Sequence, residues 1–254
     1  MNYTKAESLQ SIEQTMRTLK LGGLAKEWRS VSHHDNEQYL RDLLDIEVRE
    51  REANRMTRMV KQAGFRVIKT LDDFVWKPTI EIPATITREN IEAATFVGGK
   101  ENLVLMGVSG TGKTHLATAI AMNLCEKRRH GRFYTATGLA NILVEKHQRG
   151  TLNSFMASLR KVELLVLDEI GFITLHKEAS ELLFQVVSDC YEQKSLIITS
   201  NLEFSQWNTV FGSDKLTAAM IDRLIHHSHI LVFSGPSHRL EESMHRQRNG
   251  GAGQ

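Results

Sequence analysis

Cysteine is scarce: the 254 residues hold only Cys125 and Cys190, far apart and with no CxxC neighbour. That excludes zinc or redox work by paired thiols and predicts two buried side chains. No run of about 18 apolar residues occurs, so no membrane-spanning helix is expected. The opening Met1-Asn2-Tyr3-Thr4-Lys5-Ala6-Glu7 lacks the apolar stretch of a signal peptide, and the chain is expected to be soluble and cytoplasmic, with no membrane partner. A large excess of one charge is missing too. The net charge of +2 announces no nucleic-acid binder by itself, so any basic surface must be local. Internal repeats and low-complexity tracts are absent apart from glycine-rich Gly250–Gln254, and residues 249–254 are expected to be a disordered tail. His226, His227 and His229 crowd together, but no cysteine or carboxylate set with metal-ligand spacing completes a tetrahedral site, so a metal there is rejected. His33-His34 reads as a loop pair, and Trp28, Trp76 and Trp207 are scattered packing anchors rather than a base-stacking platform.

What is present suits a folded protein. With 41% hydrophobic and 24% charged residues a real core can form, and the length fits one sizeable α/β domain with a small satellite. Leu9, Ile12, Met16 and Leu19 put an apolar stripe on a first helix ending at Gly22-Gly23. A short helix over Leu24–Ser30 follows, then a long one from Tyr39 to about Ala63, with apolar positions at Leu40, Leu43, Leu44, Met56, Met59 and Val60 and Gly64 as its cap. Residues 1–65 are thus expected to form a helical N-terminal domain. Residues 66–95, with Pro78, Pro83 and isolated anchors at Phe74, Val75 and Trp76, read as a linker. From 96 to 248 the pattern alternates strand and helix. Strands are predicted at Leu103–Met106, Phe133–Thr135, Leu164–Leu167, Leu196–Thr199 and Ile230–Phe233, which implies a mostly parallel sheet flanked by helices.

The first strand feeds Gly107-Val108-Ser109-Gly110-Thr111-Gly112-Lys113-Thr114, which fits G-x-x-x-x-G-K-[ST] in the strand-to-helix setting that this phosphate loop requires. Backbone N–H groups of Gly107, Ser109, Gly110, Thr111 and Gly112 can turn toward phosphates at a helix N-terminus. Lys113 would reach the β- and γ-phosphates of ATP, and the Thr114 hydroxyl would ligate Mg²⁺. A second apolar strand ends in Asp168-Glu169 at the carboxyl edge of the sheet. Asp168 would hold the magnesium shell, while Glu169 would orient or deprotonate the attacking water, which favours hydrolysis over transfer to another substrate. Asn201 closes Ser195–Asn201 at the same edge and would sense the γ-phosphate, although strand-ending asparagines also serve plain turns.

Beyond these motifs, Leu19-Lys20-Leu21-Gly22-Gly23-Leu24-Ala25, Lys69-Thr70-Leu71-Asp72-Asp73-Phe74, Gly112-Lys113-Thr114-His115-Leu116-Ala117, Ser200-Asn201-Leu202 and Leu216–Leu224 resemble the IstB family, the ATP-binding helpers of insertion-sequence transposition. More distantly the chain is similar to the helicase loader DnaC, and both are AAA+ ATPases. The resemblance covers most of the chain and implies an AAA+ P-loop domain without the large helical lid of many relatives. It makes Arg223 an arginine finger reaching a neighbouring subunit's ATP, hence a homo-oligomer with ATP sites between subunits. Gly235-Pro236-Ser237-His238-Arg239 resembles the family's closing Gly-x-Ser-Tyr-Arg, which makes Arg239 a second sensor, with His238 in place of tyrosine. It also implies assembly on duplex DNA, deformation of that DNA and delivery to a partner transposase. A DnaC-like helicase loader and, from another class, a small-molecule kinase on the same phosphate loop are the rivals.

Residues 49–66 carry Arg49, Arg51, Arg55, Arg58, Lys61 and Arg66 against Glu50 and Glu52, a local net charge of +4. Such a stripe can track DNA phosphates with little regard for base sequence. The competing reading is a solvated helix laced with pairs such as Glu47 with Arg51. Lys146, Arg149 and Arg160 become DNA candidates through the resemblance, because related ATPases meet DNA there. Lys127, Arg128, Arg129 and Arg132 read instead as a dipole-complementing helix end.

Overall fold

The computed structural model describes residues 5–33 and 35–238. His34, Arg239 and the tail 249–254 lie outside them. The described residues divide into two compact units, the first ending at Arg58 and the second beginning at Met59.

The first unit is helical: α1 (Lys5–Thr18), α2 (Gly22–Glu27) with a short 3₁₀ turn over Trp28–Ser30, and the long α3 (Asn36–Ala63), which runs on past the division. Asp35 starts α3 earlier than the apolar pattern suggests, because its carboxylate accepts the Glu37 and Gln38 N–H groups at 3.0 and 2.9 Å. Gly22-Gly23 opens α2 rather than closing α1, which ends at Thr18 with Lys20 in a left-handed conformation. The reason lies on α3, where the buried Glu47 accepts the N–H groups of Gly23 and Leu24 at 3.0 and 3.1 Å. A side chain at Gly23 would collide with Glu50, so only glycine lets the two helices approach this closely. Leu40 and Leu44, one turn apart on α3, are each more than half exposed, so these two positions of the expected apolar stripe face outward, as does Val48 a turn further on.

The second unit contains β1 (Ile80–Glu81), α4 (Arg88–Ala93), β2 (Asn102–Gly107), α5 (Lys113–Glu126), β3 (Gly131–Thr135), α6 (Ala136–Gln148), α7 (Leu152–Arg160), β4 (Leu164–Ile170), α8 (Lys177–Cys190), β5 (Ser195–Ser200), α9 (Asn208–Phe211), α10 (Asp214–Ile225) and β6 (Ser228–Phe233). They build one six-stranded sheet in the order β1-β6-β2-β5-β4-β3. Every neighbouring pair is parallel except β1 with β6. Successive side chains of a strand point to opposite faces, and β4 divides accordingly: Leu165 and Leu167 join a core with α6, α8 and α10, whereas Leu164 and Val166 join one with α5. Continuous apolar strands are what a sheet covered on both faces demands.

Residues 66–95, read as a linker, are built into this unit. Ile80 and Glu81 pair with Phe233 and Val232. Asn123 of α5 and Lys127 just after it donate to the carbonyls of Glu92 and Ala93, and the Trp76 indole donates to Glu92 at 2.7 Å. A two-residue strand and a six-residue helix are too short to leave a periodic signal. Among the described residues no helix is long and apolar enough to cross a membrane.

Candidate functional site

The β2–α5 loop is tied to its own backbone and to the last described residues. Lys113 is buried, and its ammonium donates to the carbonyls of Gly107 and Val108 at 2.7 and 2.8 Å. The Thr111 hydroxyl donates to Val108 O at 2.8 Å, and His238 N–H to Gly110 O at 2.9 Å. Gly107 and Gly110 are both left-handed, with φ of 138° and 85°. A Cβ at Gly107 would strike Phe233 O in the neighbouring strand, and one at Gly110 would strike the Ser237 hydroxyl. Both positions therefore need glycine for conformation and for space.

Asp168 and Glu169 stand just before the end of β4, beside this loop. The Thr114 hydroxyl donates to Asp168 Oδ1 at 2.9 Å, and the buried Thr199 hydroxyl donates to the same oxygen at 2.5 Å. Ser109 to Thr114, Asp168, Glu169 and Asn201 all line one cavity of about 980 Å³, a size that suits a nucleotide. These are the loop, acid pair and polar strand end read from the sequence, brought together by parallel strands whose carboxyl ends share an edge. Arg66, Val67, Lys69, Asp73, Phe74 and Val75 supply another wall. Phe74 stacks edge-on with His115, ring centres 5.3 Å apart, and closes over Gly112. His115 in turn bonds the Thr70 carbonyl at 3.1 Å. This wall and Thr199 were missed by motif reading, although Lys69–Phe74 does carry part of the family resemblance, and Thr199 is a polar residue inside an apolar strand.

Arg223 is elsewhere. It lies half-buried on α10, with its guanidinium 4.8 Å from the centre of the Phe184 ring and donating to Ala219 O at 2.9 Å. Among the described residues, those lining the nucleotide cavity do not include it. Of the basic candidates, Arg49, Arg55, Arg58 and Lys61 are exposed on α3, while Arg51 pairs with Glu47 at 2.7 Å and donates to Lys20 O. Arg149 pairs with Glu145 and Arg160 with Asp189 at 3.1 and 2.8 Å, and Lys146 is half-buried on α6.

Burial pushes the Cys190 thiol up to about 12 and also raises Cys125, so neither is a ready nucleophile. The carboxylate that the histidine cluster lacks in sequence is supplied in space by Glu192. One donor atom each from Glu192, His226 and His227 fall within 4.8 Å of one another. All three are exposed, and His226 Nδ1 is engaged with the Tyr191 hydroxyl at 2.9 Å.

A phosphate loop between strand and helix and an acidic pair on a parallel strand of the same sheet together define a P-loop ATPase. The chain belongs to the family of IstB-like ATP binding proteins, whose model matches residues 14–246. It is 32% identical over 237 residues to the ATP-binding protein of insertion sequence IS5376 from Geobacillus stearothermophilus, covering 91% of this chain and 94% of that one. Its fold is similar to AMPPCP-bound DnaA from Aquifex aeolicus, with a TM-score of 0.54 and 24% identity over 65% of this chain and 49% of the other. It is likewise similar to the DnaC helicase loader, with a TM-score of 0.51 and 23% identity over 65% of this chain and 96% of the loader.

Proposed function

We propose that this ATPase is the DNA-handling helper of an insertion sequence: it oligomerises on duplex DNA with ATP between subunits, deforms the DNA and recruits a partner transposase. The observation that carries the reading is the division of the site. Lys113, Thr114, Asp168, Glu169 and Asn201 converge on one cavity, whereas Arg223 stands on α10 outside it and would act on a neighbour's nucleotide.

Thr114 and Asp168 fit a magnesium ion in chemistry, a hydroxyl and a buried carboxylate oxygen 2.9 Å apart beside the loop that would hold the phosphates. Bound there, Mg²⁺ would neutralise charge on the β- and γ-phosphates. Lys113 would exchange its loop carbonyls for phosphate oxygens. Glu169 would take the proton of the attacking water, and Asn201 would hold that water against the γ-phosphate. Arg223 and Arg239 would offset developing charge, the first from a neighbouring subunit and the second within the same one. The exposed Arg49, Arg55, Arg58 and Lys61 on α3 are the leading phosphate contacts, while Arg51, Arg149 and Arg160 would first have to leave their carboxylates.

The test is phosphate release with no acceptor other than water, with and without DNA, alongside binding to duplex and single strands. Turnover stimulated by duplex supports the proposal. A preference for single strands would favour a helicase loader, and a need for a small-molecule acceptor would favour a kinase. Duplex affinity should fall as salt rises, with a log–log slope of about −0.9 per phosphate neutralised.

A further inference from the structure

β4 and β5 keep parallel register as far as Leu167 opposite Ile198 and resume it with Ile170 opposite Ser200. Asp168 and Glu169 therefore stand against the single residue Thr199. Such a bulge bends a strand and re-aims its side chains. Here it puts Glu169 at φ 63°, in the left-handed region that a residue bearing a Cβ seldom enters unaided.

Thr199 supplies the restraint. Its Oγ1 accepts the Glu169 N–H at 2.9 Å and donates its own proton to Asp168 Oδ1 at 2.5 Å. A hydroxyl offers one donor and free acceptor capacity, so a single atom spans both residues of the bulge. The side chain is buried, with 1% exposure, and lines the same cavity as Asp168 and Glu169. Next along β5, the Ser200 hydroxyl donates to Ile170 O at 2.8 Å and fastens the strand just beyond the bulge.

We propose that Thr199 is a positioning residue for ATP hydrolysis: by pinning the bulge it fixes the backbone from which Glu169 meets the nucleotide cavity. The inference rests on Glu169 being the group that activates water. Valine at 199 keeps the shape and removes both bonds, freeing Glu169 to leave its left-handed conformation.

The experiment uses the full chain and compares steady-state phosphate release with the affinity for a fluorescent ATP analogue. Thr199→Val should lower kcat on the order of tenfold to a hundredfold, as small misplacements of a reacting group do, while analogue affinity stays within about threefold, well under 1.4 kcal/mol per tenfold. Thr199→Ser should recover most of the rate. Combined with Glu169→Gln, Thr199→Val should slow turnover no further. Wild-type turnover in Thr199→Val beside a slow Glu169→Gln would overturn the inference and leave the ATPase assignment standing. So would a Thr199→Val protein whose loss of affinity matches its loss of turnover, since that marks a merely structural role. Wild-type turnover in Glu169→Gln would instead remove the base assignment and the inference with it. If Thr199→Val does not fold, as judged by circular dichroism and melting, Thr199→Ser and Thr199→Ala decide. An active serine variant with a slow alanine variant supports the pin, and equal rates for the two overturn it.

Discussion

Lys113 and Glu169 share a cavity, yet they suit different steps. Lys113 is the buried cation at the mouth of the helix, so its removal should be felt in ground-state binding. Lys113→Ala is expected to weaken ATP binding by about tenfold or more, roughly 1.4 kcal/mol or above, as measured by nucleotide titration. Glu169→Gln should bind ATP normally and lose on the order of 10²- to 10⁴-fold in turnover, the usual worth of a general base, and should accumulate the DNA-bound assembly. Normal phosphate release by that variant would assign the base elsewhere. The loop and the acid pair were legible because their chemistry demands particular residues at fixed spacing after an apolar strand. Thr199 was not, because a threonine in a strand ordinarily signifies β-propensity. Only the register shift opposite Leu167–Ile170 gives its hydroxyl a task.

Among the elements, the α2–α3 contact has a pH dependence of its own. Burial pushes the Glu47 carboxyl up, but the Arg51 guanidinium and the Leu24 and Gly23 N–H groups outweigh it and hold the group below its ordinary value. A carboxyl lowered in the folded state adds stability above its unfolded pKa of about 4.3, and that contribution is lost as pH falls through the folded value. Protection of the Gly23 and Leu24 amides from hydrogen exchange, corrected for intrinsic rate, should therefore fall in acid in the native chain. Glu47→Ala leaves both N–H groups unpaired, and protection should drop at neutral pH by about 1–3 kcal/mol. Unchanged protection in that variant would sever the link between the two helices and Glu47. The Gly22-Gly23 pair illustrates the limit of reading helix ends locally. Paired glycines signal a stop, yet a carboxylate more than twenty residues away makes them a start.

For the whole molecule, a finger supplied by a neighbour predicts complementation. Arg223→Ala and Lys113→Ala subunits, each inactive alone, should regain part of the wild-type rate when mixed, because a mixed ring or filament contains some sites with both groups intact. Absence of rescue at every mixing ratio would return Arg223 to a surface role beside Phe184. The mostly parallel α/β architecture was readable from five apolar runs separated by helical stretches, but the edge strand β1 was not. β1 is two residues long and lies in a stretch that reads as a tether between domains. That small strand bears on how the protein can be cut. A fragment begun at Phe96, where the sequence pattern invites a boundary, would leave the backbone of Val232 and Phe233 as an open edge, the kind of template on which sheets from separate molecules join. It would also lose the wall formed by Arg66–Val75. Such a fragment should precipitate and bind nucleotide poorly, whereas one begun before Phe65 should stay dispersed.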